Sequence, residues 1–573
     1  MTLQIKLIWG LILCSFPLMG QTYQNPVPQI GNTSGLFGDL RGNHFHSGID
    51  YPTFGDGKTP ILAVYNGHVS RIKISATGYG NALYIKHPTG YTSVYAHLHS
   101  YNQKIAQWVK TKQYQLESFE MDVFPGETEL QIVKGEIIGL GGNTGNSTGP
   151  HLHFEMRNSR TEWTCHPLHF GFSVSDRAAP TLNSLQLVEI PGHGYSEQFL
   201  SKKTIYGPNI GNLLTHPLQL NGKFPHPSKP VTISHPAYIE LKAADIAAIG
   251  GASGIHRITI LENSDTLFDF KIDSFSFADS RYINSLIDFS SGTKSYRCQR
   301  SPGNLLPCIR APKNNGLILP PKDGETKEIK VWCRDFYGNA VGRGFVVAAN
   351  NQGIHHPNIS PRTHGPNKAI ALKDLHAEAY LDPWTLYDSI SPDWQFFNPT
   401  NGTVSQKEIR LFNSSLPAHK LYRILLLADH QKLKPSLRSK TVLECLGKEG
   451  KKSYHTGSWD QDWFESSLKV FGRLRLVLDT TKPTITSSYP AQPIRISRGL
   501  SIIARINDQQ SGIKEYRVTV NNRWILAAYD AKSNLLSIPI SKEVPLGKQN
   551  ILIKVTDHVG NSSSHTIAVN IQN

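Results

Sequence analysis

Between Thr59 and Leu98 the apolar and β-branched residues fall into short runs: Ile61–Tyr65, Val69–Ile74, Ala82–Lys86 and Thr92–His97. Asn66-Gly67, Gly78-Tyr79-Gly80 and Pro88-Thr89-Gly90 separate them. Runs of this length, broken by residues suited to tight turns, predict a series of antiparallel hairpins. From Tyr101 to Lys134 the pattern changes. Ile105, Trp108 and Val109 have helical spacing, and strand-like alternation returns only at Phe119–Phe124, so 101–134 reads as an insertion. After Ser175 two stretches share one grammar. Pro180-Thr181 and Pro483-Thr484 open them, and Ser253–Ile255 and Ser511–Ile513 each spell Ser-Gly-Ile. Asp335–Asn339 and Asp557–Asn561 each form Asp-x-x-Gly-Asn before a closing run of strands. Recurrent turns between short strands predict immunoglobulin-like sandwiches, and the Gly-Asn pairs suit turns because both residues tolerate positive φ. Residues 351–480 read as a further β-rich module ending in the strand-like Leu468–Leu478. The expected fold is mainly β, with an N-terminal hairpin domain over 21–175 and two or three sandwich modules at 176–350, 351–480 and 481–573.

A chain of 573 residues suggests about three to five domains. With 39% apolar residues, 18% charged residues, 47 Gly and 35 Pro, it is not a coiled coil, a collagen or a largely disordered chain. The net charge of +15 is unevenly placed. Residues 21–175 hold 11 basic and 11 acidic side chains, whereas 176–573 hold 47 and 33, and 481–573 alone hold 11 and 5. Attraction to an anionic envelope polymer is therefore expected of the later modules, and no nucleic-acid partner is expected. Lys6, the apolar run Leu7–Met19 and Gly20 read as a cleaved secretory signal over 1–20. The run is too short for a stable membrane span, and Leu13 before Cys14 does not suit lipidation. Export to the periplasm, an outer membrane or the cell surface follows. Five cysteines would remain, Cys165, Cys298, Cys308, Cys333 and Cys445, of which Cys298 and Cys308 are spaced to close a small disulfide loop.

Ten of the 24 histidines lie between Gln21 and Phe170. His46 and Asp50 form H-x-x-x-D, and His151 and His153 form H-x-H. Even-numbered neighbours share a face of an extended chain, so His46 would point with Asp50, and His151 with His153, Glu155 and Arg157. Leu152, Phe154 and Met156 would face the core. Either pair alone is common on solvated strands. Two such pairs, the second approached through the glycine-rich Gly141–Gly149, can supply two imidazoles and a carboxylate, which with an open fourth position suit a catalytic zinc.

His46-Ser47-Gly48-Ile49-Asp50, Tyr95-Ala96-His97-Leu98 and Gly142-Asn143-Thr144-Gly145-Asn146-Ser147-Thr148-Gly149-Pro150-His151-Leu152-His153-Phe154-Glu155 closely resemble the LytM/lysostaphin-type zinc metallopeptidases. That family cuts peptide cross-links of bacterial cell walls, and the resemblance covers about residues 36–160. It implies a small antiparallel β-domain with one Zn2+ held by His46, Asp50 and His153. His97 and His151 would flank the bound water and the developing oxyanion. No H-E-x-x-H glutamate is present to take the proton, and a neutral imidazole can accept it near neutral pH. Which of His97 and His151 is the base stays open. Glu155 reads as an orienting group, whereas His44, His99, His68, His87, His166 and His169 read as bystanders. The insertion 101–134 departs from the family pattern and bears on specificity.

The expected function is zinc-dependent endopeptidase action on peptidoglycan. The alternative is a non-catalytic, peptidoglycan-binding regulator that activates another hydrolase, since some relatives have lost the metal site.

Overall fold

The computed structural model describes residues 22–573 except 29–32, 54–56, 175, 177, 191–200, 208–215, 220, 225–227, 246–253, 290–293, 351–363 and 490–492. The leader read at 1–20 lies outside the described residues. Among the described residues no helix is long and apolar enough to cross a membrane.

The hairpin runs form one antiparallel sheet, with Gly67–Ile74, Asn81–Lys86, Tyr91–Ala96 and His151–Asn158 side by side. Strand Ile49–Pro52 also pairs with His151–Asn158. Apolar residues from one face, among them Ile49, Ile72, Ile85, Tyr95, Leu152 and Phe154, pack into one core, while Ala82, Tyr84, Val94 and Ala96 form a small separate cluster. The insertion folds as the helix Gln103–Leu116 followed by the strand Met121–Val123, which pairs with Gly67–Ile74. The Asn102 side chain caps the helix by accepting from the Ile105 amide at 3.0 Å. Ile105, Val109 and Gln113 are its buried positions.

Three further cores follow, each between two sheets. In the first, Leu187 and Ile239 of the sheet 201–206/181–189/237–244/296–298 meet Ile260 and Val331 of a sheet containing 340–349, 326–334, 257–262 and 265–271. In the second, Ile424 and Leu474 lie on opposing five-stranded sheets. In the last, Ile502 and Leu536 face Ile553 and Val569. The protein is thus mainly β, with a hairpin domain followed by β-sandwiches.

The hairpin domain and the first sandwich are continuous. Strand Thr164–Cys165 pairs with Ser274–Phe275, so the large sheet runs into the sandwich. Phe37, Leu40 and Phe45 are buried in the sandwich core, with ring centroids of Phe45 and Phe275 5.6 Å apart.

Three expectations change. All five described cysteines are free thiols. Cys298 Sγ lies against the Tyr296 carbonyl and Cys308 Sγ donates to the Ser274 carbonyl at 3.5 Å, so the two thiols are engaged separately rather than with each other. In the Gly-Asn turns only the glycines take positive φ, +91° at Gly338 and +80° at Gly560. The Asn339 and Asn561 side chains instead donate to Asp335 and Asp557, each at 2.7 Å. Finally, His46 precedes the strand Ile49–Pro52 instead of lying on it. The face shared with Asp50 comes from a turn at Gly48, where a Cβ would stand 2.2 Å from the Phe154 carbonyl oxygen.

Candidate metal centre and active site

The register of strand His151–Asn158 assembles the site. His153 is paired with Asp50 on one side and with Ala96, the residue before His97, on the other. Cross-strand neighbours of this kind hold their Cβ atoms about 5 Å apart on one face. His46 Nε2 and His153 Nδ1 each lie 2.9 Å from Asp50 Oδ1 and 3.0 Å from each other. His151 Nε2 is 3.5 Å from the same oxygen. His46, Asp50 and His153 are all buried.

The hydrogen bonds outside this triangle fix which nitrogen of each ring is free. A backbone carbonyl only accepts, so His46 Nδ1 donates to Leu36 at 2.7 Å, His97 Nδ1 to Thr144 at 2.7 Å, and His151 Nδ1 to Gly149 at 2.8 Å. His153 Nε2 donates to Glu155 Oε1 at 2.9 Å. With both rings neutral, as metal binding requires, His46 Nε2 and His153 Nδ1 present lone pairs toward Asp50. Tautomers set from outside in this way are the usual arrangement of metal-bound histidines. The residues fit a zinc ion: two imidazole nitrogens and a carboxylate oxygen converge with no hydrogen to place between the nitrogens.

Charge points the same way. Glu155 is fully buried and accepts from Ser47 Oγ at 2.6 Å, from Tyr79 OH, and at its other oxygen from Arg157 Nε at 2.6 Å. Burial opposes its ionisation, but Arg157 and His153 hold the carboxyl far below the usual range. Asp50, also resisted by burial, is held well below the carboxylate range by His46 and His153, and Arg41 Nη2 donates to its Oδ2 at 3.3 Å. Burial alone would lower the pKa of His153, but Asp50 and Glu155 outweigh it and raise the value to about 9. The two anions make this spot favourable for a cation.

His97 and His151 stand beside the triangle, with ring centroids 4.8 Å apart and that of His97 6.0 Å from His153. Burial, helped by His153 and His151, lowers the pKa of His97 to about 3. Burial likewise lowers His151. Both rings are therefore neutral near pH 7, with Nε2 able to accept a proton. His97 has φ of +60°, a region costly for a residue with a side chain, and is held there by its amide donating to Tyr79 at 2.9 Å and its ring to Thr144. The loop bearing Thr144 approaches closely at Gly145, where a Cβ would lie 2.4 Å from the Gly78 carbonyl oxygen.

All five residues singled out from sequence converge here. His44 is exposed and its ring bonds to the Gly42 carbonyl, and His99 is exposed. His87 lies between Asn66 and Ser93, while His166 packs on the Phe336 ring and His169 pairs with Asp273. Ser47, Tyr79, Arg41 and Thr144 had no assigned role in the sequence. Tyr79 and Arg41 reach the site through the fold alone, whereas Ser47 and Thr144 lie inside the motifs, which was the available signal.

A sheet-borne His-Asp-His cluster flanked by two more histidines makes this domain similar to the LytM-type metallopeptidases. The model of peptidase family M23 matches residues 44–114, a segment carrying His46, Asp50 and His97. The chain is 36% identical over 112 residues to the DD-carboxypeptidase/endopeptidase Mpg of Neisseria meningitidis, a match covering 20% of each protein. It is 29% identical over 168 residues to lysostaphin of Staphylococcus staphylolyticus, covering 29% of this chain and 30% of lysostaphin. Among solved structures, the catalytic domain of a prophage-encoded M23 protein of Enterococcus faecalis is 25% identical, with 26% of this chain and 98% of that one covered and a TM-score of 0.19. The chain spans a fifth to under a third of the length of these two curated relatives.

Proposed function

We propose that residues 36–170 form a zinc-dependent endopeptidase that cleaves peptide cross-links of bacterial peptidoglycan. His46, Asp50 and His153 hold one Zn2+. The observation that carries this reading is the convergence of three buried ligand atoms whose tautomers are fixed from outside the site. Zinc held there would polarise the scissile carbonyl and bring the pKa of a water to about 7. Of His97 and His151, both tethered through Nδ1, one accepts the water proton at Nε2 and returns it to the leaving amine, and the other could donate to the oxyanion only when itself protonated at Nε2. Glu155 keeps His153 in register, and Arg157 neutralises Glu155.

The name of the Neisseria relative, DD-carboxypeptidase/endopeptidase, supports a peptide substrate of this class. Export of the chain, the division at 21–175, 176–350, 351–480 and 481–573, and binding of anionic envelope polymer by the basic modules belong to the same proposal. N-terminal sequencing of the fractionated protein tests export, and salt-dependent co-sedimentation with sacculi tests the polymer.

His153→Ala is expected to abolish both zinc content and hydrolysis of purified sacculi. His97→Ala and His151→Ala are expected to keep zinc and lower kcat by on the order of 10²–10⁴. Stoichiometric zinc with normal turnover in His153→Ala would overturn the ligand set. A zinc-loaded wild type that releases no peptide ends would favour the regulator.

A further inference from the structure

The chain closes on itself at the active site. The last sandwich docks on the insertion helix Gln103–Leu116 of the N-terminal domain. Lys110 Nζ lies 2.8 Å from Glu543 Oε2, and Glu117, just past the helix end, pairs with Arg517. The Tyr114 ring meets the Trp524 ring edge-on at 5.1 Å, and the Leu526 amide donates to Tyr114 OH at 3.5 Å. From the same sandwich Lys532 Nζ donates to the backbone carbonyl of Asn143 in the glycine-rich loop.

The place of Asn143 gives this contact its meaning. On one side, the Gly142 carbonyl accepts the His151 amide at 3.1 Å. On the other, the Thr144 carbonyl accepts His97 Nδ1 at 2.7 Å. One peptide segment thus connects to both histidines outside the metal triangle, and the last sandwich grips that segment between them. Thr144 Oγ1 also donates to the Leu98 carbonyl and accepts from the Asn81 amide, so displacement of the loop would be felt at His97.

We propose that the C-terminal sandwich is a positioning element of the active site. Docked on the insertion helix, it holds the glycine-rich loop through Lys532 and thereby fixes His97 and His151. Lys532 is the positioning residue, and the insertion is the surface that receives the sandwich. The catalytic part of this inference rests on the peptidase reading; the mechanical part, that docking restrains the loop, does not.

The test uses the full chain loaded with zinc, with purified sacculi as substrate and hydrogen exchange at 142–149 as a second readout. In Lys532→Ala, exchange in the loop is expected to rise about tenfold, because a held segment becomes free to open locally. The same variant is expected to lose about tenfold in kcat with KM changed less than twofold, since misplacement of catalytic groups acts on the reacting geometry. Lys532→Arg should restore most of both. Glu543→Lys should behave like Lys532→Ala, and Lys110→Glu combined with Glu543→Lys should recover toward wild type. Unchanged loop exchange in both Lys532→Ala and Glu543→Lys would overturn the inference, as would a rise in kcat, which would make the sandwich an inhibitory latch. If wild type has no hydrolytic activity, the peptidase reading fails, and loop exchange alone then decides whether docking restrains the loop.

Discussion

The N-terminal domain meets two other parts of its own chain, and the two junctions are built differently. Against the first sandwich it shares a sheet, through Thr164–Cys165 with Ser274–Phe275, and a core, through Phe37, Leu40 and Phe45. Against the last sandwich it offers ion pairs, one aromatic edge and a lysine-to-carbonyl bond, with a cavity of about 460 Å3 lined by residues of both parts, Phe119 and Trp524 among them. Apolar burial and strand pairing make units that unfold together, whereas polar contacts around a void make units that can separate. The first junction shares a sheet and a core and is expected to unfold with its domains; the second is expected to separate without unfolding them.

The largest effect should come from cutting into the shared core. Phe275→Ala removes a fully buried ring that touches Phe37 and Phe45. It is expected to cost about 3–5 kcal/mol and to lower the unfolding midpoints of the N-terminal domain and the first sandwich together. Calorimetry and loss of bound zinc should report one transition. Two separated transitions, with zinc retained through the first, would show that the units are independent.

A smaller effect is expected where the first sandwich touches the support of the metal site. The guanidinium of Arg157 stacks on the Phe277 ring at 4.5 Å, Arg157 bonds to Glu155, and Glu155 bonds to His153. Phe277→Ala should weaken zinc binding by about tenfold, at the low end of effects seen for outer partners of metal ligands. Titration against a competing chelator measures it; affinity equal to wild type would confine the junction to a scaffold role.

Much of this was legible in the sequence, and the reason is local. Asp50, His97, His151 and His153 lie on or just after strands of the main sheet, where period-two alternation fixes the face; spacing placed His151 with His153, and the family resemblance brought in His97 and joined the motifs into one site. His46 reached the site by a different route, a turn at Gly48. What spacing could not show were partners set by chain reversal over long distances. The Phe45 amide donates to Ser280 Oγ, and the Asn143 carbonyl accepts from Lys532. The insertion 101–134 was visible as a break in the hairpin pattern, but its purpose depends on Trp524 and Glu543, some 400 residues later, and no pattern within either segment encodes that pairing. Charge asymmetry suggested a basic tail reaching for an outside polymer, and two of its cations, Arg517 and Lys532, are turned toward the chain's own N-terminal domain.

Acid sensitivity offers a milder probe of the first junction. Asp273 of the first sandwich accepts from His169 of the N-terminal domain at 3.0 Å, from His256 at 2.9 Å, and pairs with Lys271 at 2.6 Å. These bonds, His169 and His256 first, hold its carboxyl far below the usual range. A carboxyl depressed in the folded state contributes stability that is present above its unfolded pKa of about 3.9 and is lost as pH falls below it. Asp273→Asn should therefore be less stable than wild type at pH 7, and the difference should shrink as pH falls below about 4. Because Asp273 is partly exposed, the difference should also shrink in high salt. A gap independent of pH would mean that geometry, not charge, links the two units here.

The smallest effect belongs to the second junction. Arg517 and Glu117 are each about half exposed, and ion pairs in such a setting contribute about 0–1 kcal/mol. Arg517→Ala is expected to leave the urea midpoint and slope of the global transition close to wild type. Separation of the docked surfaces should nevertheless be easier, because this pair and Lys110–Glu543 flank the Tyr114–Trp524 contact. Raising salt from 0.1 to 1 M shortens the Debye length from about 10 to about 3 Å, which weakens both ion pairs while leaving the aromatic contact in place. A distance measurement between probes on the insertion helix and on the last sandwich should thus show a widened population in Arg517→Ala at low salt. Wild type should reach the same distribution only at high salt, and neither change should alter the distance between the N-terminal domain and the first sandwich. A loss of 2 kcal/mol or more in global stability for Arg517→Ala would place the second junction in the same class as the first, and the separability drawn from its polar, cavity-bearing contact would not hold.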